Sequence, residues 1–286
     1  MNIKIFFLLA IFISFISCKQ EYKNDLDTLN ITNSVKSIKE LSFTVKNDFG
    51  KISKAEPTEY YNEHNSSYSN KIISFNKNGY VIKKSFFDDQ GSIKEVEKFS
   101  LDETNRKIKF EQYGNEGNRT ALNLHNYQND SEVPKSIENY DRNGELEFIW
   151  KFRYNENLNE IERYVEYPDG QVPQRWFTTY NDRGKTKSIT EIRDSSEGFK
   201  EILYYNDTDL LIKKKNYFEQ EPQYVWIYTY DENDNISSCK KKSQGSNEIE
   251  YMDYKYTYDD ENNWIEKVVY INEIPKFIIE REYQYY

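Results

Sequence analysis

The sequence predicts an all-β chain, a long antiparallel β-meander of repeated hairpins, twisted and curled, in a single repeat domain. Three observations predict it. A short phrase recurs from Phe75 onward: an aromatic, then Asn or Asp, two variable positions, then Gly, Asn or Asp. The segments between its copies are rich in Tyr, Phe, Ile, Val and Trp, with apolar side chains tending to every second place. Beyond the first residues, no window carries the i, i+3, i+4, i+7 stripe of an amphipathic helix.

The phrase reads Phe75-Asn76-Lys77-Asn78-Gly79, Phe87-Asp88-Asp89-Gln90-Gly91 and Tyr140-Asp141-Arg142-Asn143-Gly144. It returns as Tyr180-Asn181-Asp182-Arg183-Gly184, Tyr205-Asn206-Asp207-Thr208-Asp209, Tyr230-Asp231-Glu232-Asn233-Asp234 and Tyr258-Asp259-Asp260-Glu261-Asn262. Anchors at Phe75, Phe87, Leu101, Tyr113, Tyr127, Tyr140, Tyr154, Tyr167 and Tyr180 stand 12 to 14 residues apart. After Tyr180 the clear anchors, Tyr205, Tyr230 and Tyr258, are separated by 25, 25 and 28 residues, about two units each. Asn or Asp after the aromatic bonds the following backbone and starts a turn, and Gly or Asn at the end tolerates positive φ. Turns this close together join strands only as antiparallel neighbours.

Two stretches show the strand period directly. In Tyr224-Val225-Trp226-Ile227-Tyr228-Thr229-Tyr230 the aromatics occupy alternate places, and Phe277, Ile279, Tyr283 and Tyr285 share one face further on. The spacing allows up to about 18 strands, and twisted sheets curl or split beyond about ten. The expected shape is therefore curled, with the aromatic core on the concave face. The stretch from Ala55 to Asn70 is expected to be an irregular hairpin connection.

Residues 1–17 read as an export signal: Lys4 precedes an apolar run, Ile5 to Ser17, too short to span a bilayer as a helix. The run ends at Phe15-Ile16-Ser17-Cys18, which resembles a bacterial lipobox. That resemblance implies lipidation of Cys18, cleavage on its N-side and a membrane partner reached through the lipid. Residues 18–34 are then the lipidated Cys and a flexible tether, and 35–286 the repeat domain. Lys19 after Cys18 points to outer-membrane sorting, so the expected location is the cell envelope, lipid-anchored.

The Tyr-Asp-x-x-Gly units and the segment Tyr256-Thr257-Tyr258-Asp259-Asp260-Glu261-Asn262-Asn263-Trp264 resemble YD repeats of the RHS type. Over residues 71–286 the chain is similar to small Bacteroidota lipoproteins with degenerate repeats of this kind. The resemblance implies a β-meander shell exported to the envelope, and it brings no catalytic residues with it.

Composition restricts the chemistry. With 39 basic and 49 acidic residues the net charge is −10, which disfavours nucleic acid as a partner. Acids and bases are interleaved along the strands, the pattern of a solvated sheet face. Only two cysteines, Cys18 and Cys239, are present, so a disulfide framework is not expected. His64 and His125 are the only histidines, and neither has a nucleophile motif or metal-ligand spacing beside it. Asp231-Glu232-Asn233-Asp234-Asn235 begins like a calcium loop, but Ile236 replaces the required Gly and Lys242 the bidentate Glu. No catalytic residue, metal or cofactor is expected.

The aromatics remain. Trp176, Trp226, Tyr228 and Trp264 are candidates for stacking against a ligand such as a sugar ring or an extended peptide. The favoured reading, however, is that they fill the core of a Leu-poor sheet. The functional expectation is a non-enzymatic envelope lipoprotein that serves as a β-repeat scaffold or binding surface for a protein or glycan. Two other readings compete with it: an immunity partner that neutralises an exported toxin, and a surface polysaccharide hydrolase.

Overall fold

The computed structural model describes residues 24–32, 34–62, 67–68, 70–172, 174–246 and 249–286. The expected signal, Cys18 and His64 lie outside the described residues. A one-turn helix, α1 (Asp25–Thr28), precedes β1 (Val35–Asp48), β2 (Lys51–Thr58) and a small hairpin of β3 (Tyr61–Asn62) and β4 (Ser67–Tyr68). Then come β5 (Lys71–Phe75), β6 (Val81–Phe87), β7 (Ile93–Leu101), β8 (Lys107–Gly114) and β9 (Arg119–Tyr127). The series continues with β10 (Pro134–Tyr140), β11 (Leu146–Tyr154), β12 (Glu160–Glu166), β13 (Gln174–Tyr180) and β14 (Thr186–Arg193). It ends with β15 (Ser196–Tyr205), β16 (Leu211–Phe218), β17 (Glu221–Tyr230), β18 (Ile236–Ser243), β19 (Ile249–Tyr258), β20 (Trp264–Ile271) and β21 (Ile274–Tyr285).

From β5 to β21 each strand pairs antiparallel with the next, the meander expected from the repeat. β1 then pairs with β21 along Val35–Thr44 on one edge and with β5 over Ser37–Glu40 on the other. The sheet thus closes into an eighteen-stranded barrel of β1 and β5 to β21. Closure is the form the expected curl takes, because it leaves no open ladder at either end of the meander. β2 is an additional strand beside the outer half of β1, and it occupies part of the stretch expected to be irregular. Pro57 is tolerated there, opposite Phe43, because a strand at an edge can forgo one N–H donor.

The two ends of the barrel share the phrase turn early in the chain, where Asp88 and Asp141 make it after β6 and β10, and diverge later. At one end every odd-numbered strand from β5 to β19 runs out. There the Asx of the phrase accepts the N–H groups two and four residues on, as Asn76 does from Asn78 and Tyr80 at 3.0 Å each. Asp102, Asn155, Asn181, Asn206, Asp231 and Asp259 repeat the pair of bonds. At the opposite end, later hairpins need only two residues, both at positive φ: Asp194-Ser195, Glu219-Gln220 and Asn272-Glu273. This is why the phrase period doubles after Tyr180 while the strands keep their spacing.

The Tyr at the head of the phrase has a second task. Tyr127, Tyr154, Tyr180 and Tyr230 donate their hydroxyls to the carbonyls of Lys107, Pro134, Glu160 and Leu211, each the first residue of the preceding strand, at 2.7–2.9 Å. Tyr256 and Tyr283 do the same to Ile236 and Trp264 at 3.0 Å. A strand-end carbonyl that would otherwise need water is thereby satisfied by the ring that covers it.

Strand alternation gives the wall two faces. One carries Ile38, Phe75, Trp226, Tyr228, Tyr254, Val269 and Ile279, all buried, and both Tyr60 and α1 pack against it. This face is the inner one. The segment around α1 crosses the mouth: Asp25 reaches Lys107 of β8 at 3.5 Å, and Asn30 donates to the Asn233 carbonyl after β17 at 2.7 Å. β8 and β17 stand nine strands apart, on opposite sides of the ring. Residues 24–32 thus form a strut, with Leu26 and Ile31 buried and Thr32 bonded to Asn263, where the sequence suggested only tether. Leu26 and Ile31 supply the apolar contacts that hold it.

The opposite face carries Lys98, Glu111, Glu138, Lys151, Arg175, Lys213, Lys240 and Lys255 at mid-strand positions around the circumference. In a lipid-facing wall, Lys or Arg at midplane costs about 2–4 kcal/mol each. The outer wall is therefore built to face water.

One turn breaks the repeat's own rule. Leu158 stands at the positive-φ position, φ 59°, where other copies have Gly, Asn or Asp, and its side chain is exposed. Leu158→Gly is expected to stabilise the protein by about 1 kcal/mol, read as a higher urea midpoint, because a Cβ at this φ is strained and little burial is lost.

Candidate functional site

The chemically densest place on the inner wall is the seam where the barrel closes. Glu40 of β1 has Lys71 of β5 as its cross-strand partner on one side and Arg281 of β21 on the other. Its carboxylate accepts from Arg281 Nε at 2.9 Å and pairs with Lys71 Nζ at 3.4 Å. All three side chains are nearly enclosed, with Glu40 only 8% exposed. Burial by itself would raise the Glu40 pKa, but the charges of Lys71, Arg281 and Lys267 outweigh it and hold the acid at about 2.

Aromatic rings frame this triad. The Arg281 guanidinium lies 3.6 Å from the centroid of Trp264, and Tyr256 meets the same indole edge-on at 5.9 Å. Lys267 of β20 sits 5.0 Å above Trp264 and 5.8 Å above Tyr254. Burial, reinforced by Arg281 and Lys71, lowers its pKa to about 8 against the opposing pull of Glu40. Beside the triad, Asn70 accepts the Ser42 N–H at 2.7 Å and donates to the Thr58 carbonyl at 2.6 Å, which ties β1, β2 and β5 together. The arrangement places three cations around one carboxylate. Its bonded pairs act as an ionic clasp across β1, β5 and β21, with Lys267 of β20 beside them.

The four sequence-predicted aromatics all face inward. Trp226, Tyr228 and Trp264 are buried members of one core cluster, 7%, 5% and 7% exposed, with Cys239 and Met252 between them. Lys241 and Lys214 lie over the Trp226 ring at 4.8 and 5.9 Å. Trp176 stands apart from that cluster and is half-buried. It packs on Trp150 with centroids 5.1 Å apart, and the Arg163 guanidinium lies over both rings at 5.6 and 5.7 Å. The structure thus joins three of the four and separates the fourth.

The remaining candidates are occupied locally. His125 faces inward and is held to a lowered pKa by burial and then by Lys107. Asp231 uses one oxygen on the N–H groups of Asn233 and Asn235 and the other on the Tyr258 hydroxyl, which explains its calcium-like spacing as turn chemistry. Burial, followed by the Asp231 hydrogen bond, raises the Tyr258 pKa to about 12. Among the described residues, no group of three His, Cys, Asp or Glu side chains is arranged to hold a metal. Sequence reasoning passed over Glu40, Lys71, Lys267 and Arg281 because charges alternate with apolar residues everywhere. A signal was present, however: Ile38, Glu40 and Ser42 share one strand face, so an inward Ile predicts an inward Glu.

No family model matches the chain and no curated protein matches it. Among solved structures it is similar to a porin-like protein from Bacteroides uniformis, at 11% identity over 88% of this chain and 99% of that one, TM-score 0.44. A porin-like protein from Bacteroides vulgatus aligns at 12% identity with the same coverages and a TM-score of 0.26. The Tc holotoxin pore of Photorhabdus luminescens aligns at 10% identity over 80% of this chain and 15% of that one, TM-score 0.32.

Glu40→Gln leaves three cations without their carboxylate, and a loss of about 3–5 kcal/mol is expected in chemical unfolding at neutral pH. Because the Glu40 pKa is depressed, its contribution is complete above pH 4.5 and disappears as pH falls toward 2. Lys267 acts in an alkaline window, with the same sign. Its folded pKa of about 8 lies below the ordinary 10.5, so the unfolded chain binds the extra proton between those values. Stability of the native protein relative to Lys267→Met should therefore rise from pH 8 to 10.5, and a flat difference would contradict the buried charge.

Proposed function

We propose that the protein is a non-enzymatic cell-envelope lipoprotein, anchored through Cys18, whose barrel is a scaffold presenting a binding surface to a glycan or protein. One observation carries the reading. The side chains that could do chemistry inside are engaged with one another, whereas the outer wall offers charged and tyrosine side chains to water. Asp and Asn of the repeats are engaged in turns, Trp226, Tyr228 and Trp264 are in the core, and Glu40 is clasped between Lys71 and Arg281. The export signal and the lipobox-like end at Cys18 support the envelope location, with the outer membrane favoured by Lys19.

A closed barrel suits this role. Its ladder bonds run around the ring, so a ligand can be held on the wall without the strands shifting register. The charged outer wall supports attachment by the lipid rather than by insertion of strands into the bilayer.

The test is a panel of glycans and peptides presented to the purified protein with binding and turnover read in parallel. Saturable binding with no new reducing ends and no new peptide termini is expected. Catalytic release of either product would contradict the proposal.

A further inference from the structure

We infer that the outer wall over β15–β19 docks an extended polyanion of the acidic-polysaccharide class, laid along β17 between two columns of lysines. The inference rests on the binding-scaffold reading and assigns it a place and a ligand class. Cross-strand register sets two straight rows there. Tyr204, Lys213, Ile227, Lys240 and Tyr251 are successive partners from β15 to β19, and Ile202, Lys215, Val225, Lys242 and Ile249 form the row beside them. The lysines are therefore stacked in pairs on β16 and β18, about 10 Å apart across β17.

Neither row contains a carboxylate, although the chain as a whole carries −10. Among the described residues none of the four lysines makes an ion pair. The inward lysines between them differ: Lys214 pairs with Glu201 at 3.3 Å, and Lys241 lies over Trp226. Asp253, one row further along β19, lies opposite Ser238 and Tyr270. Like charges held this close repel, and an anion between the columns relieves that repulsion.

The shape of the place fits a single chain. Lys213 and Lys215 lean over Tyr204 at 5.5 and 5.7 Å, and Lys240 over Tyr251 at 5.4 Å. Both tyrosines lie on the side away from β17, so the ammonium groups draw apart and leave a trough floored by Val225 and Ile227. Ile227, Tyr204 and Tyr251 are 43%, 40% and 46% exposed. A peptide gains little here, because both edges of β17 are already hydrogen-bonded to β16 and β18 and no strand can be added. The CH faces of sugar rings suit an aliphatic floor with aromatic margins, and acid groups on either side of the chain reach the lysines.

The experiment uses the full-length protein in detergent micelles and labelled polygalacturonate, followed by fluorescence anisotropy at roughly 50 to 200 mM salt. Saturable binding that weakens as salt rises is expected. The variant K213Q/K215Q/K240Q/K242Q should bind about tenfold or more weakly with an unchanged unfolding midpoint. The charge-matched variant K83Q/K98Q/K109Q/K151Q, altered elsewhere on the outer wall, should keep native affinity. Ile227→Asp, which puts a negative charge on the trough floor, should weaken binding without touching a lysine. Equal affinity of the first variant and the native protein overturns the inference and leaves the general binding reading standing. Absence of polygalacturonate binding, or tighter binding to polyglutamate or to vesicles of anionic lipid, overturns the polysaccharide assignment. Cleavage of polygalacturonate by the native protein overturns the scaffold reading instead.

Discussion

Glu40 is the residue on which closure turns. β1 is the one strand that joins the first strand of the meander to its last, and it meets β5 over only four residue pairs. Within those four lies the Glu40–Lys71 pair, and Arg281 grips the same carboxylate from β21. A buried carboxylate is costly when alone, but flanked by cations in the strands it must join it favours one register. A one-residue slip of β5 would turn Lys71 to the outer wall and leave Glu40 without it. Trp264, stacked under Arg281, fixes that guanidinium from below.

Closure then decides what each face can do. The inner face has become a core of Trp, Tyr and Ile, with Lys71 and Arg281 drawn onto Glu40 and Lys267 set against Trp264, and the strut of residues 24–32 stitches one mouth. The outer face retains side chains whose charges are incompletely matched. Two lysine triplets, Lys213-Lys214-Lys215 and Lys240-Lys241-Lys242, show the division within single strands. The middle residue of each turns inward to Trp226, and its neighbours turn outward.

Much of this was legible in the residues and some was not. The turn phrase predicted the meander because Asx and Gly chemistry is local and independent of distant partners. Doubling of the period after Tyr180 was visible, but its cause, two-residue turns at Asp194, Glu219 and Asn272, lay in residues with no Gly to mark them. The buried segment at Leu26 and Ile31 was hidden because two apolar residues make no period. Burial of Trp226, Tyr228 and Trp264 was one of two readings, and alternation alone could not choose which face turned inward. The lysine triplets stand 27 residues apart, two strands of the meander, and that spacing could have revealed the outer columns. Interleaved charges elsewhere along the strands concealed it.

Amide hydrogen exchange across the seam tests the central claim most directly. In a closed barrel the amides that join Ser37–Glu40 to Lys71–Ser74 are hydrogen-bonded on a buried wall, and their protection should match that of the interior strands β17–β19. An open, curled sheet leaves that edge of β5 unpaired against solvent. Fast exchange over Lys71–Ser74, with β17–β19 still protected, would contradict closure and with it the assignment of the two faces.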